Sequence, residues 1–183
     1  MNYEKYIINN SAPVNIGVHT LIQARRSCRS FKIEQLLAEY IRVILEAGIK
    51  APSGKNGQPW QFVIVQQDKE LLKKLSALTV NNFVSKADCL IAVYLDKAQS
   101  YDYIKNVQAI GACIENMLLQ ATALGIGSCW IGEILNKAGE VNQLLGINTE
   151  RYEFMAVIAI GYANDRTMQP KKKELNECVI SYL

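Results

Sequence analysis

Residues 102–124 read DYIKNVQAIGACIENMLLQATAL, the longest stretch of the chain with helical periodicity. Apolar residues recur at three- and four-residue steps and cover almost the whole circumference of the predicted helix. They are Ile104, Val107, Ile110, Ala112, Cys113, Met117, Leu118, Ala121 and Leu124. A helix that is apolar on most faces lies in the centre of a core or is shared with a partner subunit. The stretch therefore predicts a long central helix around which the other elements pack.

Shorter helices are predicted on both sides of this stretch. The amphipathic helix over residues 34–50 must end near Pro52, because the residue before a proline is disfavoured in the helical region. Asp68 is a suitable N-cap for the next helix. The shorter predicted helices cover residues 16–25, 34–50, 68–78 and 137–145.

Three apolar runs of strand length alternate with these helices. Residues 61–65 (QFVIV) and 89–95 (CLIAVYL) are predicted to be central strands buried on both faces, and residues 153–162 (EFMAVIAIGY) a third buried strand. Interleaved helices and strands predict a three-layer α+β or α/β architecture. Since no linker, repeat or low-complexity segment divides the chain, we expect residues 1–183 to form a single domain.

The composition argues against several classes of function. The chain has 183 residues, 50% of them hydrophobic, and a formal net charge of +3. This charge is too small to suggest bulk binding to nucleic acid or to a membrane surface. Five scattered cysteines and one histidine, His19, indicate neither a disulfide framework nor a metal site. The N-terminus carries no apolar signal core, so we expect a cytoplasmic protein.

Three polar stretches carry the candidate chemistry. Residues 25–31 (RRSCRSF) combine guanidinium groups with hydroxyls, which together suit phosphate oxygens. A solvated basic turn is the plain alternative, and a nucleic-acid site would need a broader basic surface. Residues 51–60 (APSGKNGQPW) form a turn-rich loop that Trp60 can anchor in the core. Residues 125–133 (GIGSCWIGE) form a glycine turn that ends the long helix and matches neither a P-loop nor a dinucleotide fingerprint.

The order and spacing of these stretches resemble the nitroreductase family of FMN-dependent oxidoreductases. RRSCRSF comes first, then PSGKNGQPW, then the long helix running into ALGIGSCWIGE, then IGYAND and a basic tail. The resemblance covers most of the chain, and the ordered set is more specific than any single motif. It implies a nitroreductase-like α+β fold: a three-layer α/β/α sandwich with a mixed, mostly antiparallel sheet, a long central helix and an intertwined homodimer.

The resemblance also implies which residues bind FMN at the dimer interface. Arg25 and Ser27 would face the phosphate and ribityl chain, with Arg26 beside them, and Arg29 would lie near N1 and the C2 carbonyl of the flavin. Residues 131–133 would lie near N5 and O4, where backbone N–H groups serve the ring. The implied contacts from this part of the chain are Arg25, Arg26, Ser27, Arg29, Ile131, Gly132 and Glu133.

Further flavin contacts are implied for the partner subunit and the basic tail. The partner would contribute Pro52, Ser53, Gly54 and Asn56, and the tail would contribute Lys171 and Lys173. Two positions depart from the family pattern: Gly54 stands where many members have a second serine, and Lys173 stands where arginine is frequent. Asn81 or Asn82 matches one more contact only loosely.

The implied activity is hydride transfer carried by FMN, with no protein side chain as a catalytic residue. Hydride would come from NADH or NADPH and pass to a nitroaromatic, quinone or similar electron-poor acceptor by a ping-pong mechanism. Two alternatives stay open: another flavin-dependent reaction (dehydrogenation, reductive dehalogenation or flavin breakdown) and a flavin-binding protein without turnover. Tyr101 and Tyr103 are candidates for the pocket mouth. Cys28 lies between arginines, which favour a lowered thiol pKa, and Cys129 is expected to fill space in the core.

Overall fold

The fold is built on a four-stranded antiparallel sheet. The computed structural model describes residues 17–164 and 170–181. The strands lie in the order β1-β2-β4-β3 and every neighbouring pair is antiparallel. They are β1 (Trp60–Val65), β2 (Cys89–Asp96), β3 (Ile126–Ile131) and β4 (Tyr152–Tyr162). All eight residues of β2 are buried, as expected of a central strand covered on both faces.

Five α-helices accompany the sheet: α1 (Val18–Ala24), α2 (Ala38–Gly48), α3 (Lys69–Ala77), α4 (Tyr103–Ala123) and α5 (Ala138–Leu145). Asp102 caps the N-terminus of the long helix α4, because its carboxylate accepts a 3.1 Å hydrogen bond from the Lys105 backbone N–H. Gly125, at a φ of 71°, provides the left-handed residue that follows the helix. The predicted Asp68 cap is also present, because its carboxylate accepts from Leu71 N–H at 2.9 Å.

The helices cover the two faces of the sheet, so that the architecture has three layers. On one face, Ile91 and Val93 of β2 pack in the same buried cluster as residues of α2 and α4. On the opposite face, Leu90 and Ala92 pack in a second cluster with residues of α3 and α5. Successive side chains of β2 point to opposite faces of the sheet, so that this strand contributes to both buried clusters. The predicted α+β fold with a long central helix is confirmed.

Three details of the prediction are wrong. First, β1 is an edge strand, and Ile64 on it is 48% exposed. Second, the glycine stretch forms the strand β3, which pairs with β4. Third, α2 begins at Ala38 and not near Glu34. The preceding backbone is already engaged, since Leu36 N–H donates to Asp88 Oδ2 at 2.9 Å.

The sheet is also less mixed than the resemblance implies. Its four strands pair antiparallel throughout, and a parallel bridge joins Ser27 to Ser128 outside the named strands. Within residues 17–164 and 170–181, no helix is both long and apolar enough to span a bilayer.

Candidate functional site

The arginine segment, residues 25–31, lies along the outer edge of β3. The backbone N–H of Cys28 donates a 2.8 Å hydrogen bond to the carbonyl of Ser128, and Ser27 forms the parallel bridge to the same residue. Cys28 and Phe31 are 3% and 1% exposed, so that they anchor the segment in the core. The sequence alternates these anchors with polar residues, and this alternation holds the guanidinium groups outside the apolar core.

A glycine makes this close approach possible. A side chain at Gly127 would place its Cβ 2.8 Å from Cys28 Sγ and 3.1 Å from the carbonyl oxygen of Gly161. The first distance is shorter than real Cβ contacts, and the second is tighter than most of them, so the neighbouring atoms would have to shift. Gly127 therefore allows close packing between the arginine segment and β3.

Positive charge gathers at this edge of the sheet. Arg25 Nε lies 3.5 Å from Glu115 Oε1 on α4, which links the segment to the long helix. Burial raises the pKa of the Cys129 thiol, while the nearby charges of Arg29 and Arg25 oppose that rise. Both guanidinium groups therefore lie near β3, on the side where the arginine segment runs along it.

Arg26 and Cys28 differ from the other members of the segment. The guanidinium of Arg26 donates to the carbonyl oxygens of Arg25, at 2.8 Å, and of Gln23, so it closes the C-terminal end of α1. The predicted lowering of the Cys28 pKa is wrong, since burial raises it despite the thiol's hydrogen bond to the Ser30 carbonyl. A thiol in this state is a poor nucleophile.

Residues 131–133 comprise the last residue of β3 and the two residues that follow it. The Glu133 carboxylate accepts hydrogen bonds from Val80 N–H at 3.0 Å and from Asn81 Nδ2 at 2.9 Å. These bonds hold the 79–81 loop beside the strand end. At Gly132, an added Cβ would meet no atom within 4 Å, so its backbone borders open space. This part of the site offers backbone groups to a ligand, while the Glu133 side chain is engaged by the protein.

The proline–serine loop, residues 52–58, has a strained backbone. Lys55, Asn56 and Gln58 all have positive φ, at 53°, 53° and 46°. Non-glycine residues rarely adopt this conformation, and clusters of them occur at functional sites. Ser53 Oγ accepts from Gln58 N–H at 3.0 Å, and the predicted anchor Trp60 is 6% exposed. The loop is therefore fixed at both ends.

This loop forms one wall of a cavity against α4. The cavity has a volume of about 310 Å³ and is lined by Pro52, Ser53, Gly54, Tyr101, Lys105, Gln108, Ala109 and Ala112. Lys105 and Gln108 were not among the predicted residues, because polar positions on a helix that starts at a clear cap read as solvent-exposed. Only the folded structure shows that Lys105 and Gln108 face the strained loop and not solvent alone.

A larger cavity, about 570 Å³, lies elsewhere, between α3 and residues 32–35 and 85–88. None of the predicted site residues lines it. We therefore place the candidate site at the arginine segment, the end of β3 and the smaller cavity.

The remaining predicted residues lie at the surface. Lys171 and Lys173 are exposed within residues 170–181, and their contact with a ligand stays a prediction. Among the described residues, no group of three histidine, cysteine or acidic side chains is placed to hold a metal ion.

Comparisons with known proteins point to the family that the motifs resemble. The model of the nitroreductase family matches residues 22–86 and 76–162. A protein of Archaeoglobus fulgidus, provisionally named NADH dehydrogenase/NAD(P)H nitroreductase, is 41% identical over 151 residues, which are 79% of this chain and 84% of the relative. The NADPH-flavin oxidoreductase of Vibrio harveyi is 29% identical over 147 residues, 73% of this chain and 60% of that protein.

The solved structures lead to the same family. A crystal structure of a provisionally assigned nitroreductase from Desulfovibrio desulfuricans, in complex with FMN, matches with a TM-score of 0.86 at 37% identity. The match covers 91% of this chain and 96% of that one. The family model matches most of the sequence, and the relatives agree with it, so this chain belongs to the nitroreductase family.

Proposed function

We propose that this chain binds FMN and uses it to transfer hydride from NADH or NADPH to an electron-poor acceptor. For a nitroaromatic acceptor the balanced reaction is ArNO₂ + NAD(P)H + H⁺ → ArNO + NAD(P)⁺ + H₂O. Bound FMN supplies the two-electron chemistry. Relatives named as NAD(P)H nitroreductase and as NADPH-flavin oxidoreductase, and a structural relative crystallised with FMN, support this assignment.

The observation that carries the proposal is the pairing of the arginine segment with β3. It brings Arg25, Ser27 and Arg29 alongside β3, the strand that ends just before Gly132. Guanidinium and hydroxyl groups suit the FMN phosphate, which we assign to Arg25 and Ser27. We assign to Arg29 the role of stabilising the negative charge that a flavin gains on reduction. The open backbone at Gly132 provides room beside the ring.

We further propose that two copies of the chain share each site. The arginine segment meets α4 at Glu115, whereas the proline–serine loop packs beside Lys105, Gln108 and Ala112, nearer the helix's N-terminal end. Ile104 on α4 and Trp130 on β3 are large apolar side chains that are 69% and 42% exposed. We propose that a second copy covers them and contributes its own loop 52–58 to the site at the arginine segment.

Mixing two defective subunits tests the shared site. Arg25→Ala would damage the phosphate contact, and Asn56→Ala would damage the contact from the partner's loop. A heterodimer of the two then contains one site with both contributions intact. Co-expression should restore part of the FMN binding and NAD(P)H oxidation that each variant lacks alone. Mixtures that stay as inactive as the separate variants would show that each site is built within one chain.

A further inference from the structure

Two lysine side chains lie over the ring of Tyr101 beside the smaller cavity. Lys55 Nζ lies 4.8 Å from the centroid of the Tyr101 ring, and Lys105 Nζ lies 5.3 Å from it. Both distances are within the range of a cation–π contact. Lys105 comes from α4 and Lys55 from the strained loop, so the ring holds two cations from separate elements at one edge of the cavity.

The charge of this cluster is only partly neutralised. Lys105 Nζ is 3.2 Å from Asp102 Oδ2, an ion pair between exposed groups. Lys55 forms no ion pair with a carboxylate among residues 17–164 and 170–181. Two ammonium groups against one carboxylate leave a net positive charge at the cavity edge, where a bound anion would be attracted.

We infer that Lys55 and Lys105 select an electron acceptor with a negatively charged group on a single aromatic ring, such as an aromatic carboxylate. The inference rests on the proposed function, because it places the acceptor beside the loop assigned to FMN. A volume of about 310 Å³ lies at the small end of ligand pockets and suits one ring. Ala109 and Ala112 give the cavity an apolar wall, and Gln108 adds a polar group.

Gly54 allows Tyr101 to hold this position. A Cβ at Gly54 would lie 2.0 Å from the Tyr101 hydroxyl oxygen and 2.7 Å from two of its ring carbons. Any residue with a side chain at position 54 would therefore displace the tyrosine ring. Gly54 therefore allows the position of the Tyr101 ring against which the two lysines lie.

Binding of benzoate and benzamide to the FMN-loaded protein tests the inference. The two probes match in size, differ in charge and require no hydride transfer, and their binding is measured from the change in the visible flavin spectrum. Benzoate should bind about tenfold more tightly than benzamide, and the preference should weaken with added salt. The double variant Lys55→Gln/Lys105→Gln should lose the preference, whereas Lys74→Gln, on the exposed surface of α3, should keep it.

The outcomes separate the inference from the proposed function. Equal binding of the two probes, or a preference that survives the double variant, overturns the charge selection alone. A preference for NADPH over NADH that is lost in the double variant, without discrimination between the probes, assigns the lysines to the donor and also overturns it. Protein that binds FMN and selects benzoate, but is not reduced by either nicotinamide, overturns the proposed function alone. Protein that does not bind FMN overturns both.

Discussion

The backbone N–H of Cys28 donates a 2.8 Å hydrogen bond to the carbonyl of Ser128, and this bond joins the arginine segment to the strand after the long helix. Each residue sits in a stretch that is weak as a motif by itself. Their pairing extends the sheet edge by one short bridge and brings the arginine segment alongside β3. The site therefore depends on packing between distant parts of the chain, and substitutions at the joint should affect ligand binding and stability together.

Gly127→Ala should weaken this joint. The new methyl group would press on Cys28 Sγ and on the Gly161 carbonyl, so we expect a loss of about 1–3 kcal/mol in the free energy of unfolding and weaker FMN binding. Gly139→Ala is the matched control, because its Cβ would meet nothing within 4 Å. In the helix α5 it should be neutral or stabilising by about 0.5–1 kcal/mol. Denaturant unfolding of both variants checks the contrast, and equal stabilities would contradict it.

Arg25→Ala should lower FMN affinity sharply. The substitution removes a charge-assisted contact of roughly 1.5–3 kcal/mol, which corresponds to about a tenfold to hundredfold rise in Kd. Arg42→Ala removes the same charge from the exposed face of α2, where Arg42 pairs with Glu39 and Glu46. Titration of apoprotein with FMN compares them. Wild-type affinity in Arg25→Ala would remove the arginine segment from the phosphate site.

The buried carboxylate of Asp96 should make stability depend on pH. Asp96 is 1% exposed and accepts hydrogen bonds from the Arg151 guanidinium, at 2.9 Å for the closest atom. These bonds lower the pKa of Asp96, and burial opposes them less strongly. Since the folded-state pKa is depressed, this stabilisation is complete above the unfolded value of about 4 and is lost as the pH falls through the folded value.

Asp96→Asn should therefore cost about 1–3 kcal/mol at neutral pH, and the difference from wild type should shrink in acid. Asp68→Asn is the control, since asparagine is an equally good N-cap for α3. Unfolding free energies measured from pH 7 down to pH 3 check this. A wild-type advantage that stays constant with pH would contradict the assigned role of the ion pair.

A single thiol should react in the folded protein. Burial raises the pKa of both Cys89 and Cys113 to about 12, and Cys28 and Cys129 are also buried, whereas Cys178 is exposed. An aromatic disulfide reagent at pH 8 should therefore modify one thiol rapidly and the others only after unfolding. Cys178→Ser should abolish the rapid phase. Rapid modification of Cys28 in that variant would show that the arginine segment detaches from β3.

The sequence predicted elements that have strong local signals. The cap at Asp68 and the apolar circumference of α4 are properties of neighbouring residues, and both appear in the structure. The strand β3 was missed because Gly127 and Ser128 interrupt its apolar residues, and it contains no continuous β-branched run. Its strand conformation comes from pairing with β4 and from contact with the arginine segment.

Contacts between side chains that are distant in the sequence could not be predicted either. Nothing local in the sequence indicates that Glu133 binds the 79–81 loop, or that Tyr101 lies against Gly54 between two lysines. These contacts join residues that are far apart in the chain, so only the folded arrangement reveals them. The position of β1 at the sheet edge could not be predicted for a similar reason, since a short apolar sequence is compatible with an edge strand or a central one.

Anaerobic reduction of the FMN-loaded protein tests the central claim most directly. Purified protein is mixed with NADH or NADPH in the absence of oxygen, and the visible flavin absorbance is followed. We predict that at least one nicotinamide bleaches the flavin, and that a nitroaromatic or a quinone added afterwards restores the colour. Flavin that dithionite reduces but neither nicotinamide bleaches would contradict the claim that this chain is an NAD(P)H oxidoreductase.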